Sequence, residues 1–499
     1  MDRAVPASQP ACNETAALPK KRITRVSMWN LGPRMVSASV TLDRRISETL
    51  TSAWTRLLAV RTESQDGRPR WIDYERETGL MKDIDAVNCF LEPYLLNPSL
   101  VPKPPIEETE LQTTIESLLH ERDQMRNRLA KSAGDKAVES NFFGFYPVPY
   151  IQNDIPMDYV DCAGDFLTLA CNALDFFSST RKELSKSLLG LLKATVKDGV
   201  EYLALSAIKD MNGVRWALGR LTKSGKANEY ANLFSTYWAA QGLSRVVRLE
   251  PKWKVVDSEA LAGAGELLSL IPRWLESQYD TSSRRFWLDE GRSQSVPLAA
   301  IYAVRLALLC QNPLADGMKD VCNAALHEIL DGKETTEQIG TLQDDFSYRF
   351  PNPYGPGSFF YDDRSYIGSL LSIIAEMTSK YPDMVDDELA HAGDRVLEGL
   401  SSTDDWRDES GLWDVGRPLI CWTREALVGL VSYGLSGQTS PLILRETDFR
   451  MAISDALKSR FVIDAIIEEV KNKQRLTERQ SDRDRLRSAS TRHSSSGGG

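Results

Sequence analysis

The stretch DESGLWDVGRPLICWTREALVGLVSYGL, residues 408–435, joins a loop built on Trp413, Asp414, Gly416 and Pro418 to an apolar helical segment with small residues at Ala426 and Gly429. Five other stretches share that order. GRPRWIDYERETGLMKDIDAVNCFLEPYL centres on Trp71, NFFGFYPVPYIQNDIPMDYVDCAGDFLTLA on Phe145, and GVRWALGRLTKSGKANEYANLFSTYWAAQGL on Trp216. QYDTSSRRFWLDEGRSQSVPLAAIYAVRLAL centres on Trp287 and DDFSYRFPNPYGPGSFFYDDRSYIGSLLSII on Tyr348. The intervals from Trp71 through to Trp413 are 74, 71, 71, 61 and 65 residues. A period of that size is one supersecondary unit, here a helical hairpin that cannot bury its own apolar face and must stack on its neighbours.

The segments between the aromatic loops read as helix. DCAGDFLTLACNALDFF, ELSKSLLGLLKATV, ALAGAGELLSLIPRWLES, VPLAAIYAVRLALL, YIGSLLSIIAEM and TREALVGLVSYGL carry apolar residues at i, i+3, i+4 and i+7. Strand-type alternation is nearly absent. Six hairpins close into a ring, so the sequence predicts an all-α, (α/α)6-type toroid. CAGDFLTLA, PLAAIYAV and EALVGLV, being apolar and small, are placed on the crowded inner layer. The loop aromatics are expected to line one mouth.

The toroid is assigned to residues 23–446, with a long helical insertion near 105–135, where Leu111, Ile115, Leu118, Arg122, Met125 and Leu129 form one stripe. Residues 1–22 read as a disordered tail and 447–470 as a C-terminal helix. Residues 471–499 read as a basic disordered tail, with eight Lys/Arg against three Asp/Glu on a chain of net charge −10. That acidity argues against a nucleic-acid partner or an anionic membrane surface. The longest apolar run, VPLAAIYAVRLALLC, holds Arg305 in its interior and is too short to span a bilayer. Seven scattered cysteines without a CxxC pair read as reduced thiols of a cytoplasmic protein. Four isolated histidines argue against a His-based metal site, and no cofactor is expected.

The units RWLESQYDTSSRRFW and GLWDVGRPLICWTREALVGLVSYG resemble the repeat shared by squalene/terpene cyclases and protein prenyltransferases, and more loosely the six-hairpin glycosidases. The resemblance covers about residues 60–435 and implies the toroid fold. A cyclase implies an Asp-x-Asp-Asp motif whose middle acid protonates an alkene or epoxide. FYDDRSYIGSLL matches it with Asp362 at the acid position and Asp363 beside it, but with Phe360 in place of the first Asp. DIDAVNCFL keeps Asp83 and Asp85 and has Ala86 where the last Asp belongs. A glycosidase implies two carboxyl groups across the mouth, a role open to Asp414 with Asp289 or Glu290.

Each acid also has a plainer role. Asp362 and Asp363 at a helix start can cap it, and Asp414 can bridge repeats. For the ligand wall the aromatic candidates are Trp413, Trp422, Trp287, Tyr348, Phe359, Phe360, Tyr361, Phe145 and Tyr146, suited to a hydrophobic small molecule, a sugar or a peptide. Three functions remain open: Brønsted-acid chemistry on an isoprenoid-type ligand, non-catalytic protein or peptide binding, and carbohydrate hydrolysis. A protein partner would dock through the 105–135 helix or the C-terminal tail.

Overall fold

The computed structural model describes residues 32–63, 67, 69–71, 80–98, 101–133, 145–146, 157–158, 160–180, 183–217, 231–292, 297–310, 313–330, 347–351, 358–362, 366–401 and 420–435. Residues 1–42 and 43–499 are two compact units. Among the described residues of the first are the opening turns of helix α1 (Gly32–Ala59).

The second unit alternates inner and outer helices. The inner ones are α2 (Leu80–Leu96), α4 (Val160–Ser179), α6 (Leu233–Trp253), α8 (Pro297–Cys310), α10 (Tyr366–Lys380) and α12 (Ile420–Leu430). Each packs on the next, α2 on α4, α4 on α6, α6 on α8, α8 on α10 and α10 on α12, and α12 packs back on α2. The ring is closed, and this is the (α/α)6 toroid. The outer layer is formed by residues 43–59 of α1 with α3 (Glu108–Ala133), α5 (Lys186–Ser206), α7 (Ser258–Ser277), α9 (Asp316–Leu330) and α11 (Asp387–Ser401).

Burial follows the layers. Helix α4 is buried on nearly every side from Val160 to Leu174, as a helix walled in by neighbours must be. On α5 a single stripe is buried, Leu188, Leu192, Val196, Val200 and Leu203, with charge on the other face. On α1 the stripe is Ile46, Leu50, Trp54 and Leu57, and Trp54 Nε1 donates to Cys89 O of α2 at 2.8 Å. The expected 105–135 helix is α3. Its residues Leu111, Ile115, Leu118 and Arg122 are buried, and it packs on α2 and α5 as an outer helix of the ring.

Glycines set how closely the inner helices cross. Gly164 of α4 lies against the backbone at Trp238 of α6, and a Cβ on Gly242 would sit 3.0 Å from Gly164 Cα. The same device recurs across the ring, where Gly368 of α10 lies against the backbone at Glu425 of α12, and a Cβ on Gly429 would sit 2.9 Å from Gly368 Cα. The small residues expected on the inner layer are there because backbones touch.

Short strands accompany the helices. Five antiparallel two-stranded hairpins lie among the described residues: β1 (Arg61–Glu63) with β2 (Pro69–Trp71), β3 (Phe145–Tyr146) with β4 (Met157–Asp158), and β5 (Ile208–Asp210) with β6 (Gly213–Arg215). They continue with β7 (Tyr279–Asp280) and β8 (Arg285–Phe286), then β9 (Ser347–Pro351) and β10 (Ser358–Asp362). Each follows an outer helix and precedes an inner one. With two to five residues per strand, no alternation is long enough to read in sequence.

Candidate functional site

The repeat aromatics mark these hairpins, and the two best defined are structural. Trp71 is fully buried; its backbone N–H donates to Asp83 Oδ1 at 2.8 Å, and Asp83 also takes Arg70 Nη1 at 2.6 Å. Trp216, equally buried, donates its indole N–H to Leu203 O at 2.9 Å and its backbone N–H to Thr236 Oγ1 at 3.1 Å. Both tie a hairpin to the start of the following inner helix. Here the bridging role considered for Asp414 is held by Asp83, whose pKa burial lifts to about 6 against the pull of the Trp71 N–H and Arg70.

Of the acids picked out from sequence as catalytic candidates, Asp289, Glu290 and Asp362 lie among the described residues, at the hairpins. Glu290 forms an ion pair with Arg215, and its N–H donates to Ala231 O at 3.1 Å. Asp289 bridges to Asn232, ahead of α6. Half-buried Trp287 donates its N–H to Gln278 O at 2.8 Å, closing the β7–β8 hairpin. Asp362 ends β10 opposite Ser347, so it lies in a strand and not in the first turn of α10. In the same register Tyr361 pairs with Tyr348, Phe359 with Phe350 and Phe360 with Arg349. Phe145 pairs with Asp158 and Tyr146 with Met157. Trp422 falls in α12, while Asp363, Trp413 and Asp414 lie outside the described residues, as do 1–31 and 436–499.

What converges instead is a polar column on the toroid axis, fed by all six inner helices. Arg424 of α12 is 1 % exposed. Its Nε and Nη2 grip Glu92 of α2 as a two-pronged fork, at 2.8 and 3.0 Å, and its Nη1 reaches both Asp85 of α2 at 2.7 Å and Asp165 of α4 at 2.8 Å. The guanidinium lies over the Trp238 ring of α6, 5.4 Å from its centre. Asn172 donates to Asn88 Oδ1 and Glu92 Oε1 at 3.0 and 3.2 Å. Beside this cluster, Arg305 of α8 donates to Ser369 of α10 at 2.8 Å, pairs with Glu425 of α12 at 3.0 Å, and stacks 4.3 Å over Tyr237.

One cation among three carboxyl groups separates their acidities. Burial raises Glu92, but the charge and hydrogen bonds of Arg424, with Arg245 and Asn172, outweigh it and hold the pKa at about 2. Burial also raises Asp85, which Arg424 only partly offsets while Glu92 and Glu425 add to the rise, leaving it at about 6. In Asp165 burial dominates again, Asp85 adds to it, and the pKa stands well above the usual carboxyl range. The Asp85–Asp165 pair therefore keeps a proton at a pH where Glu92 has long lost its own.

Because the folded pKa of Asp85 lies above its ordinary 3.8, its contribution to stability is fully present below about pH 4 and is lost as pH rises through about 6. Asp85→Asn, which cannot ionise, should gain on the parent protein across that window, so the difference in melting temperature between them narrows from pH 4 to 7. Glu92→Gln should behave oppositely, its penalty growing as pH rises from 2 towards 5. A gap that stays flat with pH in both variants would contradict these assignments.

At the C-terminal ends of the inner helices the column opens into a cavity of about 630 Å³. Its walls carry Glu92, Gln241, Arg245, Arg248, Arg305 and Glu425, interleaved with the hydroxyls of Ser244, Ser372, Ser379 and Ser432. Arg245 approaches Glu92 to 3.6 Å, and Lys380 at the rim pairs with Glu376 at 2.5 Å. Composition gave partial warning of this site: Arg305 interrupts an otherwise apolar helix, and Arg424 and Glu425 interrupt another. Nothing in their spacing says that these residues meet on the axis.

No family model matches the chain, and no curated protein matches it. Among solved structures it is similar to an α-mannanase of glycoside hydrolase family 76 from Bacteroides thetaiotaomicron, at 11 % identity and TM-score 0.44, covering 79 % of this chain and 94 % of that one. It is also similar to an inactive variant of an α-1,6-mannanase from Salegentibacter sp. in complex with α-1,6-mannotetrose, at 13 % identity and TM-score 0.47, covering 78 % and 99 %. A third is cellobiose 2-epimerase from Bacillus thermoamylovorans, at 11 % identity and TM-score 0.44, covering 80 % and 99 %. These likenesses concern architecture. None of the structures named is a terpene cyclase or a prenyltransferase.

Proposed function

We propose that this chain is a toroid that binds a hydroxylated, carbohydrate-type ligand in its axial cavity. The observation that carries the reading is the chemistry of the wall. Carboxylates, guanidinium groups, two amides and four serine hydroxyls line a space of about 630 Å³, each able to bond a sugar hydroxyl. Leu96, Leu309, Ile373 and Val428, on the same wall, offer an apolar surface for a sugar ring. An isoprenoid-type ligand would forfeit the solvation of Arg245, Glu92 and their neighbours without replacing it, so the polar wall favours the carbohydrate reading over cyclisation. The reading rests on the cavity and not on the substrates of the similar structures.

Thermal melting of the full chain against oligosaccharides, isoprenyl diphosphates and linear terpenes tests it. A saccharide present at a hundred times its Kd should stabilise the fold by about 2.7 kcal/mol through mass action. Stabilisation by terpenes with none by saccharides would overturn it. Release of reducing sugar, lost in a Glu425→Gln variant that still melts cooperatively, would add hydrolysis at the cavity carboxylates to the binding.

A further inference from the structure

We propose that the ligand of the axial cavity carries an anionic group, a carboxylate or a phosphate, and that Arg245 and Arg248 receive it. The body of the ligand rests on the carbohydrate reading; the anion stands on the cations themselves. Four cationic side chains line the cavity, and two are committed: Arg305 to Glu425 and Ser369, and Lys380 to Glu376. As the last residue of α10, Lys380 also answers the negative end of that helix.

Arg245 has only a long ion pair with Glu92, and Arg248 has less. They stand one turn apart on the same face of α6, a spacing at which like charges repel. Arg245 faces Glu92 at 3.6 Å, beyond hydrogen-bond reach, and both oxygens of Glu92 are already bonded by Arg424. Arg248 makes no hydrogen bond or ion pair with another described residue; crowding by the protein and then the charge of Arg245 disfavour its charged form, with Glu376 acting the other way. It lies five residues before the end of α6, outside the last turn where a helix terminus would call for a cation. Two turns before Arg248, the buried amide oxygen of Gln241 has no hydrogen-bond partner among the described residues, and this side chain lines the same cavity. Two guanidinium forks, neither hydrogen-bonded to another described residue, match a planar carboxylate or a phosphate, and the Gln241 oxygen, which can only accept, matches a hydroxyl of the body joined to it.

Calorimetric titration of the full chain at low salt tests this with inorganic phosphate, glucose, glucuronate and glucose 6-phosphate. At least one anionic sugar should bind about ten-fold more tightly than glucose. Comparing glucuronate with glucose 6-phosphate identifies which group is read. Arg248→Gln removes a side chain at the open mouth; it should lose the ten-fold preference, while an unchanged melting temperature shows that the variant still folds. Equal affinity for neutral and anionic sugars, or a preference that survives Arg248→Gln, would overturn the anion site and leave the carbohydrate reading intact. Binding of phosphate that Arg248→Gln abolishes, without binding of any sugar, would uphold the anion site and sink the carbohydrate reading. Failure of every probe would count against both.

Discussion

Replacing Arg424 with leucine should cost about 3–5 kcal/mol, a large part of the 5–15 kcal/mol that a domain usually has in hand. The side chain is buried and bonds three carboxyl groups on α2 and α4 from a position on α12, so it ties the last inner helix to the first two. Leucine leaves Glu92 with only the more distant Arg245 as counter-charge, and leaves Asp85 and Asp165 to stay neutral by holding protons. The deficit should therefore shrink in acid, as all three acids become protonated. Lysine should not restore the fold, because a single ammonium cannot grip Glu92 with two prongs while reaching two further acids. Urea denaturation followed by circular dichroism measures both effects. An Arg424→Leu variant with the parent's urea midpoint would refute the closing role of this residue.

The second large effect concerns glycine. Gly164→Ala and Gly368→Ala would each drive a methyl group into the backbone of the facing inner helix, at Trp238 and Glu425 respectively. A backbone cannot swing aside as a side chain can, so each substitution should cost about 3 kcal/mol, the upper end of ordinary overpacking. Gly265→Ala provides the contrast. Gly265 lies inside α7, and a Cβ there would meet nothing within 4 Å. Alanine should stabilise that helix by about 0.5–1 kcal/mol through its better propensity. Thermal melts of the three variants decide the matter; equal effects at all three positions would show that the close crossings do not set the ring.

Particular residues show how far the sequence could be read. The stripe from Leu111 to Arg122 is local, because i, i+4 and i+7 positions share a face wherever the helix lies, so its burial on α3 followed from spacing alone. Trp71 and Trp216 were legible as repeat markers, but their roles were not. Whether a loop tryptophan lines a mouth or seals a hairpin depends on Asp83, Leu203 and Thr236, which lie 12, 13 and 20 residues away. Asp362, read at a helix start, ends a short strand, because the two leave the same Asp-rich signature. Asp85 stood inside a motif fragment, yet its environment comes from a residue 339 positions further on.

By itself, then, the sequence determined the number and order of the hairpins and which helices were apolar enough to crowd an axis, since these depend on period and composition. Only the tertiary structure decided the site. Asp85, Glu92 and Asp165 are each brought within hydrogen-bonding distance of the Arg424 guanidinium by ring closure, and the low dielectric of the axis then sets their charges. Spacing along a chain carries neither the distance between two helices nor the water excluded between them.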